Sequence, residues 1–566
     1  MNMNTVPVAA SPVAVEEAAV RMSMTLSGGF LLRNILDLER PEVFVRGLSG
    51  EDFFWIVKRI GEDDCLPVLE LASEEQWQYL LDLEIWDKDQ LNPKETLLWF
   101  SRLAEADQER FSSWIITGEC DLFSLLLLRT AQVVLKEKDE GDALPPPFFT
   151  FDGCFYVKAL RAEEQDILEK LLRNLARTDY ERYQALLHGL AGIIPAEAEE
   201  ELYRLRNGRI SEHGFLPFEE AVGIYAPLDP SALGDGPPPP LPGTVAYPEC
   251  RHLIPLSPIL IADERGLISR VLSRIDDSGV LDRIRQEFSD ICNRIIAAEA
   301  PARIGDSGVI ARACGRAAAF LKLALNCVCA DRADFAEQII RNHSIQTIFR
   351  VGFGFAAALN REASRWRRES WYVSRGWDND FWGSPWGENL EGLLASRPRF
   401  FVGGGSGELY RDFETARDLD EARRRLRHVQ ALDALLARLS PGLQREVRNT
   451  FQPVATFHFL LFNQWACSVL EKEISFSPLE PAEAVRFFKA VRRNDKGPPY
   501  PMSGFREIFI SDFMQGVSDF EPPMREALAE ALSMVWDAFR MEYEFIEEDD
   551  LEGRYSPFLL ISLPGN

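Results

Sequence analysis

The stretch Ser49–Glu105, SGEDFFWIVKRIGEDDCLPVLELASEEQWQYLLDLEIWDKDQLNPKETLLWFSRLAE, decides the fold class, because helix starts are written into it at short intervals. Ser49-Gly-Glu-Asp52 and Ser73-Glu-Glu-Gln76 each place a hydroxyl N-cap three residues ahead of a side chain that can answer it. Asn92-Pro93-Lys-Glu95 combines an N-cap, a proline at the first helical position and an acid in the first turn. Phe53, Ile56, Val57 and Ile60 recur at i, i+3, i+4 and i+7, which is one face of a helix. With Gly61 as a further break, each helix runs only about ten residues, a length that is marginal in isolation. Neighbouring helices must therefore stabilise one another, with Trp55, Trp77, Trp86 and Trp99 inside or just after them. The expectation is a mainly α, multidomain helical protein with an N-terminal short-helix, repeat-like array.

The helical period continues beyond this stretch. Leu168, Leu171, Leu172 and Leu175 keep it, as do Leu432, Leu435, Leu436 and Leu439. Near the C-terminus Leu528, Ala531, Leu532, Val535, Trp536 and Phe539 extend such a stripe over three turns. Leu122–Leu135 is broken by Arg129 and Gln132 and is shorter than the roughly 20 apolar residues that span a bilayer, so it reads as a buried helix. Strand signals are few. Phe148–Phe151, Asp152-Gly153 and Cys154–Val157 spell a tight hairpin at 148–157, since Asp-Gly supplies the positive φ values of a two-residue turn. Arg399–Val402 and Phe558–Leu563 read as isolated strands.

A chain of 566 residues is long enough for about three to four domains, and 46% hydrophobic residues can fill their cores. The net charge of −27 argues against non-specific binding to nucleic acid or to an anionic membrane, both themselves negative. That charge is uneven: residues 1–250 hold 22 basic and 44 acidic side chains, residues 251–541 hold 39 and 38. Pro145–Pro147 and Pro237–Pro240 interrupt the helical pattern, because proline continues neither a helix nor a sheet ladder. The expected organisation is a flexible tail (1–25), an acidic helical repeat-like domain (26–142), a second helical domain (143–226) and a Pro-rich linker (227–250). A helical domain (251–398) with a Trp/Arg-rich segment (361–386), a C-terminal helical domain (399–541) and an acidic tail (542–566) follow. No basic n-region leads into a compact apolar run near Met1, and nine scattered cysteines fit reduced thiols. Both point to the cytoplasm.

The phrases EDFFWIVKRIGEDD (51–64), YLLDLEIWDKDQL (79–91) and ELYRLRNGRISEHGFLPFEEAVGIYAPLDP (201–230) resemble a family of large cytoplasmic bacterial proteins of unknown function. That resemblance spans most of the chain and implies no activity. The acidic short helices near the N-terminus also resemble, in pattern, the cytosolic repeat domain of magnesium channels of the MgtE type.

The most unusual segment is REASRWRRESWYVSRGWDNDFWGSPW (361–386), with five of the chain's 12 tryptophans. Arg361, Arg365 and Arg368 fall on one helix face. Arginine beside aromatic planes suits stacking on a ligand or a partner surface, and buried indoles between helical layers are the structural reading of the same residues. Arg365, Trp366, Arg368, Trp371, Arg375, Trp377 and Trp382 are the candidate binding residues. Asp378-Asn379-Asp380 starts like a calcium loop, but Trp382 and Asn389 stand where oxygen ligands are required. Cys327-Val328-Cys329 lies in a helical stretch where residues two apart diverge, so no metal site is expected. Gly403–Gly407 ends at Glu408, which opposes phosphate, and reads as a flexible turn. Glu212-His213 with Glu219-Glu220 could be assembled into an acid/base set, but so could any His near acids, and a helix-end or packing role is the preferred reading. No catalytic residue and no cofactor is singled out.

These readings favour a non-catalytic protein–protein interaction or scaffold protein with a protein partner, without membrane insertion or nucleic acid. The alternative is an enzyme or ligand-binding protein for an anionic small molecule, with its pocket in the C-terminal half around Arg365, Arg368, Arg375 and Asp378 or Asp380.

Overall fold

The computed structural model describes residues 28–136, 144–213, 215–234, 267–299, 307–330, 332–403, 408–439, 456–473, 478–492, 497–500, 504–547 and 558–562, with 239 and 502. The chain is mainly α and divides into two compact units, Met1–Gly352 and Phe353–Asn566. The expected tail at 1–25, most of the linker at 235–250 and the acidic run at 548–557 lie outside the described residues.

The first unit opens with short helices: α1 (Gly28–Leu36), α2 (Pro41–Arg46), α3 (Gly50–Ile60), α4 (Leu66–Leu71) and α5 (Glu74–Glu84). The written caps form them. Ser49 accepts from the Asp52 amide, and Ser73 and Gln76 exchange hydrogen bonds in a capping box. The Gln76 amide nitrogen then donates to the carbonyls of Val45 and Leu48, tying α5 to the end of α2. A two-residue turn, Lys88-Asp89, joins β1 (Trp86–Asp87) to β2 (Gln90–Leu91). Lys88 takes a left-handed φ of 59°, as such a turn demands. Next come α6 (Pro93–Ala106), α7 (Gln108–Thr117) and α8 (Cys120–Thr130). Packing is repeat-like: α1 meets α3, α2 meets α4, α3 meets α5 and α4 meets α6.

Two local expectations are corrected. The apolar run Leu122–Leu135 is not one helix: α8 ends at Thr130 and the chain continues as β3 (Ala131–Leu135). The partner of β3 is β4 (Phe155–Ala159), antiparallel, with Val133 opposite Val157. The hairpin expected at 148–157 keeps only a single bridge between Phe149 and Val157, while Asp152 accepts from the amides of Cys154 and Phe155 at the turn. β-Branched Val133 and Val134 suit the pleated pairing, and the longer-range strand wins over the local one.

The unit continues through α9 (Gln165–Thr178), α10 (Tyr180–Gly189), α11 (Pro195–Ser211), α12 (Phe218–Ala221), α13 (Leu267–Leu272), α14 (Ser278–Glu299), α15 (Ser307–Cys329) and α16 (Ala333–Asn342). The boundary between the units falls within α17 (Ile345–Glu369). Arginines close several helix C-termini, whose last carbonyls lack intrahelical donors. Arg110 donates to the carbonyls of Leu69, Glu70 and Ala72, and Arg283 to those of Ile340 and His343.

The second unit contains α18 (Trp371–Ser374), α19 (Trp386–Leu394), a short pair of β5 (Phe400–Phe401) and β6 (Tyr410–Arg411), α20 (Ala416–Leu439), α21 (Phe457–Val469), α22 (Pro481–Arg492), α23 (Phe505–Gln515) and α24 (Pro522–Tyr543). The expected stripe of α24 is buried and packs on α20 and α23. Around it lies an aromatic core in which Phe462 stacks on Phe539 at 4.3 Å and Trp465 meets Trp536 edge-on at 5.5 Å. The expected strand near the C-terminus is reduced to one bridge, Leu479 to Ile561.

Among the described residues no single helix is long and apolar enough to cross a membrane. α7 and α8 reach the required length only together, bent by 98°, and α8 is largely buried.

Candidate functional site

α11 should bury an apolar stripe, and its inward positions are Leu202, Arg206 and Ile210. The middle member is an arginine, 3% exposed, where the helical period asks for a leucine. A cleft of about 690 Å³ lies against it. α11 supplies Tyr203, Arg206, Asn207 and Ile210; the β1–β2 turn supplies Trp86, Lys88 and Asp89; Phe215–Glu219 and Ile296-Ala297 of α14 complete the walls. Leu91 donates its amide to Glu199, which fixes the β1–β2 turn against α11.

Arg206 is held on two sides. Its Nε donates to the carbonyl of Asp82 at 2.7 Å, and one Nη donates to Asn207 Oδ1 at 3.1 Å. The guanidinium lies 5.7 Å from the ring centres of both Trp86 and Tyr203, within reach of a cation–π attraction. Burial pushes its pKa down to about 10, against the pull of Asp82, so it stays charged at neutral pH. The obvious counter-ion is already engaged: the Asp82 carboxylate takes two hydrogen bonds of 2.7 Å from Arg209. Arg206 makes no ion pair among the described residues, and the second Nη makes no hydrogen bond there. A charge removed from water without a partner is costly, and an anion in the cleft would remove that cost.

Other ionisable groups surround this arginine pair. Burial raises the Glu119 carboxyl to about 7, against the attraction of Arg209. His213 Nδ1 donates to the Glu51 carboxylate at 2.8 Å, and that contact raises the imidazole despite burial. Its ring lies 4.5 Å from that of Tyr79, whose hydroxyl burial pushes up strongly. Arg285 sits 3.5 Å from Asp52 and 3.6 Å from Asp282. Of the acid/base set considered from sequence, His213 is engaged with Glu51, Glu212 is exposed and Glu219 lines the cleft. A smaller hollow of about 310 Å³, beside Val133, Leu135 and Leu187, is apolar apart from His188.

The candidates from 361–386 are distributed otherwise. Arg365 and Arg368 are exposed on α17, and Trp366 stacks on Tyr372 at 5.7 Å. Trp371 is buried and meets Trp377 edge-on at 5.2 Å; Trp377 stacks flat on Phe381 at 4.2 Å. Trp382 is fully buried against Tyr372 and Phe457, and Arg375 lies 5.7 Å over Trp371. Asp433 accepts from the amides of Trp371 and Tyr372, capping α18; burial raises its carboxyl to about 6 against those bonds. The structure thus gathers the aromatic members into packing and leaves Arg365 and Arg368 outside it. Asp378 precedes a 3-10 turn (Asn379–Trp382) that contains Asp380, and Asn379 accepts from the Tyr372 hydroxyl. Among the described residues no group of three or more His, Cys, Asp or Glu is placed to hold a metal ion.

Sequence reasoning missed Arg206, although the signal was present. Leu202, Arg206 and Ile210 lie at i, i+4 and i+8, and a lone charge in such a stripe marks either a clamp or a site. Trp86, Lys88 and Asp89 lie in the phrase 79–91, and Tyr203 to Glu219 in the phrase 201–230.

No curated protein and no solved structure matches the chain, so the likeness to MgtE-type magnesium channels has no support. The model of one family of unknown function, DUF6178, matches residues 11–562, and the chain belongs to that family.

Proposed function

We propose that this is a non-catalytic binding protein of the bacterial cytoplasm, which seats an anionic group of a protein partner in the Arg206 cleft. One observation carries this reading: a buried, charged arginine with no ion pair of its own among the described residues, at the wall of a cleft of about 690 Å³. The lining offers recognition chemistry, namely aromatic faces, apolar side chains, an amide, two cations and the carboxylates of Asp89 and Glu219. Eight described cysteines are free thiols, which supports a reducing compartment.

The test is affinity capture from the host with the wild-type protein and with Arg206→Gln, read by native mass spectrometry. The expected result is a stoichiometric partner that the variant loses by tenfold or more. Equal capture by both proteins would remove the cleft from the interaction.

A further inference from the structure

Resting on that reading, we infer that the cleft around Arg206 recognises a carboxylate on an apolar or aromatic body, such as a glutamate or aspartate flanked by large apolar residues, in preference to a phosphate.

The available edge of the guanidinium supports this choice. Nε is committed to the Asp82 carbonyl and one Nη1 proton to Asn207; the end-on edge, formed by the two Nη atoms, is the edge that we assign to the ligand. That edge presents two parallel N–H bonds, the spacing a planar carboxylate accepts bidentately.

The charge balance decides against phosphate. The ionisable groups of the lining are Lys88 and Arg206 against Asp89 and Glu219, and they cancel. A singly charged carboxylate takes that balance only to −1. A phosphate, carrying about −1.5 to −2 at neutral pH, would bring excess charge toward Asp89 and Glu219.

The rest of the lining describes the body of the ligand. Trp86 and Phe215 are buried in the wall, and Phe218 stands at the surface with 51% of its area exposed. Val222, one turn further, is also exposed. An apolar group beside the carboxylate would cover the exposed face of Phe218, which water otherwise wets at a cost of about 25 cal/mol per Å².

Three small probes separate the outcomes: 3-phenylpropanoate, its neutral amide 3-phenylpropanamide, and phenyl phosphate, each titrated into the whole protein by calorimetry. A ligand of this size is expected to bind in roughly the millimolar range. The expected order is the carboxylate at least tenfold tighter than both others, with the advantage abolished in Arg206→Gln. Should that variant fold poorly, Phe218→Ala, at the exposed rim, is expected to weaken 3-phenylpropanoate several-fold while leaving the fold intact. Tighter binding of phenyl phosphate would overturn the carboxylate inference and leave the anion cleft standing. Equal binding of acid and amide, or no binding by any probe, would overturn both.

Discussion

Of the regions of this chain that place arginine beside aromatic rings, two, one in each unit, use the pairing in opposite ways. In the first unit Arg206 lies beside Trp86 and Tyr203, which touch each other at 5.7 Å, with its nearest carboxylate engaged by Arg209, and a cleft opens against it. In the second unit Trp371, Trp377, Phe381 and Trp382 stack on one another and on Phe457, and the nearby carboxylate of Asp433 caps a short helix. Rings that find rings become core, because aromatic pairs gain both buried area and oriented contact. Rings beside an unpaired buried charge leave something for a ligand to complete.

The largest expected effect breaks the second region alone. Trp382→Ala removes a fully buried indole and should destabilise the second unit by about 3–5 kcal/mol, measured by denaturant unfolding. Binding at the cleft should be unchanged; a parallel loss of binding would show that the two regions are not independent. Next, Arg206→Gln should cost about 1–3 kcal/mol, since it takes a donor from the Asp82 carbonyl, along with the loss of anion binding. A variant with full stability and full binding would mean that the arginine is neither clamp nor site.

Two pH effects of opposite sign sharpen the contrast. Glu119 titrates near 7 in the folded first unit, above its unfolded value, so folding favours the protonated form. Stability should therefore fall as pH rises from about 4.5 toward 7, and Glu119→Gln should gain ~1–2 kcal/mol at pH 8 and nothing at pH 4. His458, half-buried between Phe457 and Phe558, is pushed down to about 3 by desolvation. Its contribution is present above pH 6.5 and is lost as pH falls, so acid should weaken the second unit and His458→Phe should flatten that response. Thermal melts at pH 4 to 8 check both. The smallest effect is expected for the double variant Arg365→Gln, Arg368→Gln, whose exposed side chains should change stability by less than about 0.5 kcal/mol. A change in partner capture by this double variant, with the cleft intact, would instead favour α17 as an interaction face.

What the sequence disclosed was local. Ser49, Ser73 and Asn92 cap helices because a cap needs only the three residues that follow it. The stripe from Leu528 to Phe539 is buried as its period requires. The pairing of Ala131–Leu135 with Phe155–Ala159 was not legible, because it is decided across a gap where the nearer hairpin looked equally good. The role of the 371–386 aromatics was hidden for the same reason: their partner Phe457 lies about 70 residues away, and density of tryptophan alone distinguishes neither core nor site. Arg206 was legible as a misfit in the Leu202–Ile210 stripe, but the cleft was not, since Trp86, Tyr203 and Ile296 meet only in the folded unit.

The most direct test of the contrast is a ¹⁹F spectrum of protein labelled with 5-fluorotryptophan, recorded while 3-phenylpropanoate is added. The Trp86 resonance, assigned by Trp86→Phe, should move saturably, while those of Trp371, Trp377 and Trp382 stay fixed. Movement confined to Trp371 or Trp377, with Trp86 unmoved, would contradict the account and return the binding site to the second unit.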